Sequence, residues 1–271
     1  MKISSKILLT IFLIMIVGLL SSNMLLKKQY DSIDKSDIYW TYDKVLEQPF
    51  KYLNITGGNS TNIYYEQSAK PSVRLLHEWV KYHGGNVKAD IQNDTLFINF
   101  DFKPANSFER VWLENAAPVR IFSRELLSVT GNNTNFEMQK LKQKSITVNM
   151  SGKSKFEIES LYPVMDSINV TQSDSTAVVF EMSPDYKKSS SDNRPQGKVE
   201  FHNEAGAVVV YPTQKSDFDE SMSINTVTAN IKGYSILDIG HAQIKKLQMQ
   251  VSDSSAIVLS GNALKEFSKT P

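Results

Sequence analysis

A phrase returns in this chain. Ser173-Asp174-Ser175-Thr176-Ala177-Val178-Val179-Phe180 comes back as Ser252-Asp253-Ser254-Ser255-Ala256-Ile257-Val258-Leu259, and Ile168-x-Val170 ahead of the first copy comes back as Leu247-x-Met249 ahead of the second. Recurring apolar pairs and polar turns mark architectures in which each unit hides its apolar face on the next. The template is two apolar pairs at spacing i, i+2, ten residues apart. Six segments fit it. They are Leu126/Ser128 with Phe136/Met138, Ile146/Val148 with Phe156/Ile158, Ile168/Val170 with Val178/Phe180, Val199/Phe201 with Val209/Tyr211, Ile224/Thr226 with Tyr234/Ile236, and Leu247/Met249 with Ile257/Leu259. Ser128 and Thr226 fill their slots poorly.

Spacing i, i+2 places both residues on one face of a strand. The residues between them, such as Thr147, Asn169, Glu157 and Gln248, are polar, as the wet face of a half-buried strand requires. Turn formers separate the pairs: Ser151-Gly152-Lys153-Ser154, Ser173-Asp174-Ser175, Asn203-Glu204-Ala205-Gly206 and Ser252-Asp253-Ser254. Ser183 to Gly197 reads as an exposed polar insert within one unit. The expectation is an all-β domain built as a solenoid of stacked parallel strands. An ordinary antiparallel sandwich is the competing reading, since it too shows short alternating strands.

Composition bounds the function. With 41% hydrophobic and 10% aromatic residues in 271, the chain is a folded protein. Net charge is +1, and residues 1–28 hold four Lys and no acid, so the remainder carries 26 basic against 29 acidic groups, or −3. That balance is no nucleic-acid footprint. The absence of Cys excludes disulfides, thiolate catalysis, zinc–thiolate sites and a lipoprotein anchor.

Ile7 to Leu26 is an apolar run without charge, preceded by Lys2 and Lys6. Twenty helical residues span about 30 Å, one hydrocarbon thickness. Ser21-Ser22-Asn23 is the only small cluster that could serve a signal peptidase, and Met24-Leu25-Leu26 continues the run past it. An uncleaved anchor is favoured over a cleaved signal. Lys27 and Lys28 follow the run, so basic residues flank both ends; the free amino terminus with Lys2 and Lys6 tips the balance slightly toward the amino end inside. The domain reading is therefore a cytoplasmic terminus over 1–6, a transmembrane helix or signal anchor over 7–26, a stalk over 27–48 and a β-solenoid domain over 49–265, facing the periplasm or exterior.

Phe50 to Ile55 and Asn62 to Glu66 read as strands across Gly57-Gly58-Asn59-Ser60-Thr61. Val87 to Ile91 and Leu96 to Phe102 read as a second pair across Gln92-Asn93-Asp94-Thr95. Val73 to Tyr82 fits a helix or a bent strand, and the choice stays open. The pattern Phe50-x-x-Leu53-x-Ile55-x-Gly57, then Ile63-x-Tyr65, then Asn93-Asp94-Thr95-Leu96-Phe97-Ile98 resembles the opening of the head GIN domain family. Its members are described as auto-transporter adhesin heads of unknown function. Over residues 45–265 the resemblance implies a right-handed, β-helix-like domain exported to a bacterial envelope. This chain has fewer turn glycines than the family, and many members follow a cleaved or lipidated leader where an uncleaved anchor is expected here. The family supplies no catalytic residues to carry over.

No residue earns a catalytic, cofactor-binding or metal role. His77 and His83 are six apart, about 240° round a helix, whereas a zinc helix needs i, i+4. His202 and His241 are isolated. Asp217, Asp219 and Glu220 read as a solvated loop, and a Ser-Asp-Ser phrase that occurs twice reads as a turn rather than part of a triad. Tyr39, Trp40 and Tyr42 suit a membrane surface or the packing of the stalk. Sequons at Asn54, Asn59, Asn93, Asn132, Asn149 and Asn169 follow from an Asn-rich β composition. The function expected is a membrane-anchored envelope protein with a non-catalytic β domain for binding, adhesion or scaffolding. The alternative is a carbohydrate-active β-helix enzyme acting on an envelope polysaccharide. Expected partners are the membrane and an envelope glycan or protein, with no cofactor and no nucleic acid. Self-association through strand edges is a third expectation.

Overall fold

The structure is a computed structural model that describes residues 3–82, 87–102, 104, 106–139, 141–158, 164–180, 197–202, 208–213, 223–240 and 243–259. The chain divides into two compact units, Met1–Asp43 and Lys44–Pro271. In the first, α1 (Ile3–Ser32) is a 30-residue helix. It contains a span, Lys6–Asp31, long and apolar enough to cross a membrane, and none of that span is buried in protein. The expected run over 7–26 lies within it. The helix continues to Ser32, so the first part of the expected stalk is helical.

Strands and two short helices fill the rest. In chain order they are β1 (Tyr42–Leu46), β2 (Tyr52–Thr56), β3 (Ile63–Gln67), β4 (Ser72–Leu76), α2 (His77–Tyr82), β5 (Val87–Gln92), β6 (Thr95–Phe100), α3 (Ser107–Ala116), β7 (Val119–Ser123), β8 (Ser128–Asn132) and β9 (Asn135–Gln139). There follow β10 (Ser145–Ser151), β11 (Lys153–Ile158), β12 (Val164–Gln172), β13 (Ser175–Phe180), β14 (Gly197–His202), β15 (Val208–Thr213), β16 (Ser223–Ile231), β17 (Ile236–Asp238), β18 (Gln243–Val251) and β19 (Ala256–Val258). One sheet has the order β1-β4-β7-β3-β9-β11-β13-β17-β19, and the other β18-β16-β12-β10-β8-β2-β6-β5. The pair β14-β15 forms a sheet of its own.

The expected right-handed parallel β-helix is overturned. Both large sheets are mixed, because β4 runs antiparallel to β7 and β5 antiparallel to β6. Sheet order departs from chain order at the start, where β2 lies between β6 and β8 and β3 between β7 and β9. The expected hairpin of Phe50–Ile55 with Asn62–Glu66 is absent, since β2 and β3 belong to different sheets. The segment expected as a fourth parallel unit is an antiparallel hairpin, with Val199 opposite Tyr211 and Phe201 opposite Val209. An apolar i, i+2 pair reports that a strand has an inward face. It carries no information about the direction of the neighbour. The stretch 73–82 is both of its alternatives in succession, β4 and then α2, with Val73, Leu75 and Trp79 buried.

Much of the expected register survives inside this mixed architecture. Ile146 pairs with Ile168 and Val148 with Val170; Phe156 pairs with Val178 and Ile158 with Phe180, all in parallel strands. The two poor slots were register errors. Val129, not Ser128, is buried and pairs with Val148, and Val227, not Thr226, is buried and pairs with Ile168. Both sheets contribute to one hydrophobic core. Within it Phe136 stacks on Phe156 at 5.9 Å, and Phe156 meets Phe180 edge-on at 6.2 Å. Truncating Phe156 to Ala leaves a void between two rings, so its expected cost is about 3–5 kcal/mol, to be read as a lowered denaturant midpoint.

The returning phrase is a corner. Asn133, Gly152, Asp174 and Gly233, at the β8–β9, β10–β11, β12–β13 and β16–β17 crossings, all have φ between 53° and 70°. Just after Gly152 and Gly233 lie Ser154 and Ser235, small hydroxyls that replace lost ladder bonds, whereas Thr134 Oγ1 after Asn133 is buried without a partner among the described residues. Ser154 Oγ accepts from Thr134 N at 3.0 Å and donates to Ser151 O at 2.6 Å. Thr176 Oγ1 donates to Ser235 Oγ at 3.0 Å, and Ser235 donates to Lys232 O at 2.8 Å. Ser252 and Ser255 share a bond of 2.9 Å at the last corner. Gly233 is the tightest of these positions. A Cβ there would sit 2.5 Å from the Asp174 carbonyl oxygen and 2.8 Å from its nitrogen, both backbone atoms. Gly233→Ala should therefore cost at least about 1–3 kcal/mol from the left-handed backbone alone, while Tyr234→Ala, at a side chain 78% exposed, should leave the melting temperature almost unchanged.

Candidate binding surface

Residues of the eight-stranded sheet that do not enter the core line up across its outer face. One row reads Tyr52, Ser128, Thr147, Asn169, Thr228 and Gln248, each on the neighbouring strand of the one before. Two positions along, a second row reads Phe97, Asn54, Thr130, Asn149, Thr171, Asn230 and Gln250. The rows carry hydroxyls, amides and two aromatic rings, and no charge. Charged residues lie outside them: Lys88 and Asp90 on the edge strand β5, Asp166 and Lys246 at strand starts. Among the described residues, no side chain of the second row makes a hydrogen bond within the protein. Its donors and acceptors face solvent unspent.

The nine-stranded sheet presents a different outer face. Arg120 bridges to Glu66 at 2.7 Å, and its guanidinium lies 5.2 Å from the Tyr64 ring. Lys155 pairs with Glu157. The Tyr64 phenol is raised above its ordinary range, first by burial and then by the charge of Glu137. One sheet thus carries an ordinary surface of opposed charges, and the other carries none but Asp166 on its six inner strands.

A cleft of about 430 Å³ opens between the β3–β4 turn, the β7–β8 corner and the start of β2. Pro49, Phe50, Pro71, Asp94, Arg124 and Glu125 are among its walls. Lys51 Nζ lies 3.8 Å from Glu125 Oε1 across it, an exposed pair of small energetic worth. Ser123, the hydroxyl at its base, is committed to structure: it bonds the Tyr65 hydroxyl at 3.0 Å and donates to the Glu125 carbonyl at 2.8 Å. This arrangement offers no nucleophile paired with a base.

The residues weighed for chemistry fall as follows. His77 begins α2. His83, His241, Asp217, Asp219 and Glu220 lie outside the described residues, as do the chain beyond Leu259 and the insert from Ser183 up to its last residue, Gly197, which begins β14, while His202 ends β14. Among the described residues, no three His, Asp or Glu side chains gather as metal ligands would. Both Ser-Asp-Ser phrases are corners: the Asp174 carboxylate accepts from Gly152 N at 2.8 Å, and Ser254 Oγ donates to Gly233 O at 2.9 Å. The polar face was missed, although its signal was in view. A sequon is Asn-x-Ser/Thr, and at Asn54, Asn149 and Asn169 the i, i+2 spacing sets Asn and its hydroxyl partner on one side of a strand.

No protein-family profile matches the chain, and no curated protein matches it. Among solved structures it is similar to one described as a "putative adhesin" from Bacteroides fragilis, at 13% identity and a TM-score of 0.45, covering 81% of this chain and 96% of that one. A "putative lipid binding protein" from Parabacteroides distasonis gives 13% identity and a TM-score of 0.31, over 81% and 94% of the two chains. A "putative cell adhesion protein" from Clostridium sporogenes gives 12% and 0.28, over 77% and 100%. Likenesses of this degree assign neither ligand nor reaction, and no profile confirms the head GIN resemblance.

Tyr65 gives the region a pH signature. Burial pushes its phenol up to about 12 from the ordinary 10.0. Between those values the unfolded chain loses this proton while the folded one keeps it, so stability falls as pH rises. The contribution is complete below about pH 10 and gone above about pH 12. Spectroscopic titration should show a phenol phase near pH 12, and Tyr65→Phe should abolish that phase.

Proposed function

We propose that this chain is a single-pass protein of a bacterial cell envelope, held by an uncleaved α1 with its β unit facing the periplasm or exterior, and that the β unit binds rather than reacts. The reading extends to membership of the head GIN domain family, supported by the motif running from Phe50 to Gly57. Anchoring is supported by the length and apolarity of Lys6–Asp31 and by Lys2 and Lys6 ahead of it. The binding role rests on one observation above others, the two continuous uncharged rows across the eight-stranded sheet. Catalysis concentrates charge and perturbed groups in a concave site, whereas this face is broad and repeats the same groups.

Two measurements test the reading. A reporter fused after Pro271 should be digested by protease added to spheroplasts, and protection of that end would reverse the orientation. Full-length protein in detergent should sediment with insoluble envelope material without altering it. Failure to sediment would remove the binding role, and release of new reducing ends would replace it with the carbohydrate-active alternative.

A further inference from the structure

We infer that the outer face of the eight-stranded sheet is the binding surface, and that its ligand is an extended, neutral, polyhydroxylated polymer: a glycan chain laid across the strands. This rests on the binding role just proposed and names the ligand class. Four observations carry it.

First, the groups are periodic. Parallel strands set equivalent residues about 4.8 Å apart, close to the rise of one sugar in an extended β-linked chain. Six such steps separate Phe97 from Gln250, so the row is about 29 Å long, enough for several sugars. Second, the chemistry matches. Asn149, Thr171 and Asn230 are adjacent along the row, and amides and hydroxyls both give and accept hydrogen bonds, as sugar hydroxyls do. Their capacity is not used within the protein. Third, the face selects against charge. Lys246 and Lys88 stand on the two edge strands, so along the inner strands an anionic polymer would shed hydration with no cation to meet it, a cost that neutral hydroxyls avoid. Fourth, Tyr52 and Phe97, both 39% exposed, stand on adjacent strands at one end of the rows. Flat aromatic surfaces there can take the apolar faces of sugar rings. Each contact is weak, and the affinity comes from many made along one chain.

Retention of full-length protein in detergent on microcrystalline cellulose and on chitin measures the proposal, with alginate as the charged comparison. Native protein should bind at least one neutral polymer and leave alginate unbound. Asn149→Arg with Thr171→Arg should weaken retention at least tenfold, Tyr52→Ala with Phe97→Ala should also weaken it, and Lys153→Glu on the other sheet should not. Should the arginine pair unfold the protein, Thr130→Val with Thr171→Val removes hydrogen bonding at nearly constant shape and should give a loss of the same sign. Retention that ignores these substitutions overturns the assignment, as does binding to alginate alone. Slowed ice recrystallisation without polymer retention also overturns it, because the array would then match a water lattice. If face variants still sediment with envelope material as native protein does, the binding role stands and the glycan assignment falls.

Discussion

Hydrogen-bonded register between parallel strands settles two surfaces at once. Because side chains alternate with period two, the alignment that puts Val148 beside Val170 also puts Asn149 beside Thr171. A slip of one residue would carry the apolar column into water and the amides into the core. The dry interior therefore protects the order of the wet face. Burial of Val129, Val148, Ile168 and Val227 across four neighbouring strands supplies the stabilisation. The outer polar groups are held in line without spending their own hydrogen bonds on it.

The corners make that register possible. Four crossings from one sheet to the other pass through a left-handed residue, and Ser154 and Ser235 bond backbone groups that leave the ladder there. The chain meets the requirement with whichever residue tolerates positive φ: Asn133, Gly152, Asp174 and Gly233.

What was legible in the sequence was local. The inward pairs Ile146/Val148, Phe156/Ile158, Ile168/Val170 and Val178/Phe180 are where the spacing puts them, and the Asn93-Asp94 turn joins an antiparallel pair as its residues suggest. Direction and partnership were not legible. Val199/Phe201 and Val209/Tyr211 meet the same template and form an antiparallel hairpin. β2 and β3 follow one another in the chain and join different sheets. The placement of β2 and β3 depends on contacts between residues 40 or more positions apart, as when Leu53 pairs with Leu96 and Val129, and no window of ten residues contains them. The polar face was legible in principle, because Asn and Thr recur at i, i+2 within strands. Read as composition, those residues had no geometry.

A surface that repeats has no preferred origin. A polymer moved along the rows by one strand would meet amides where hydroxyls had been, and hydroxyls where amides had been, at little change in energy. Many alignments would be almost equally good. Such a face would resist detachment while permitting lateral travel, more like a track than a socket, and grip would scale with the length of chain engaged rather than with any single chemical group.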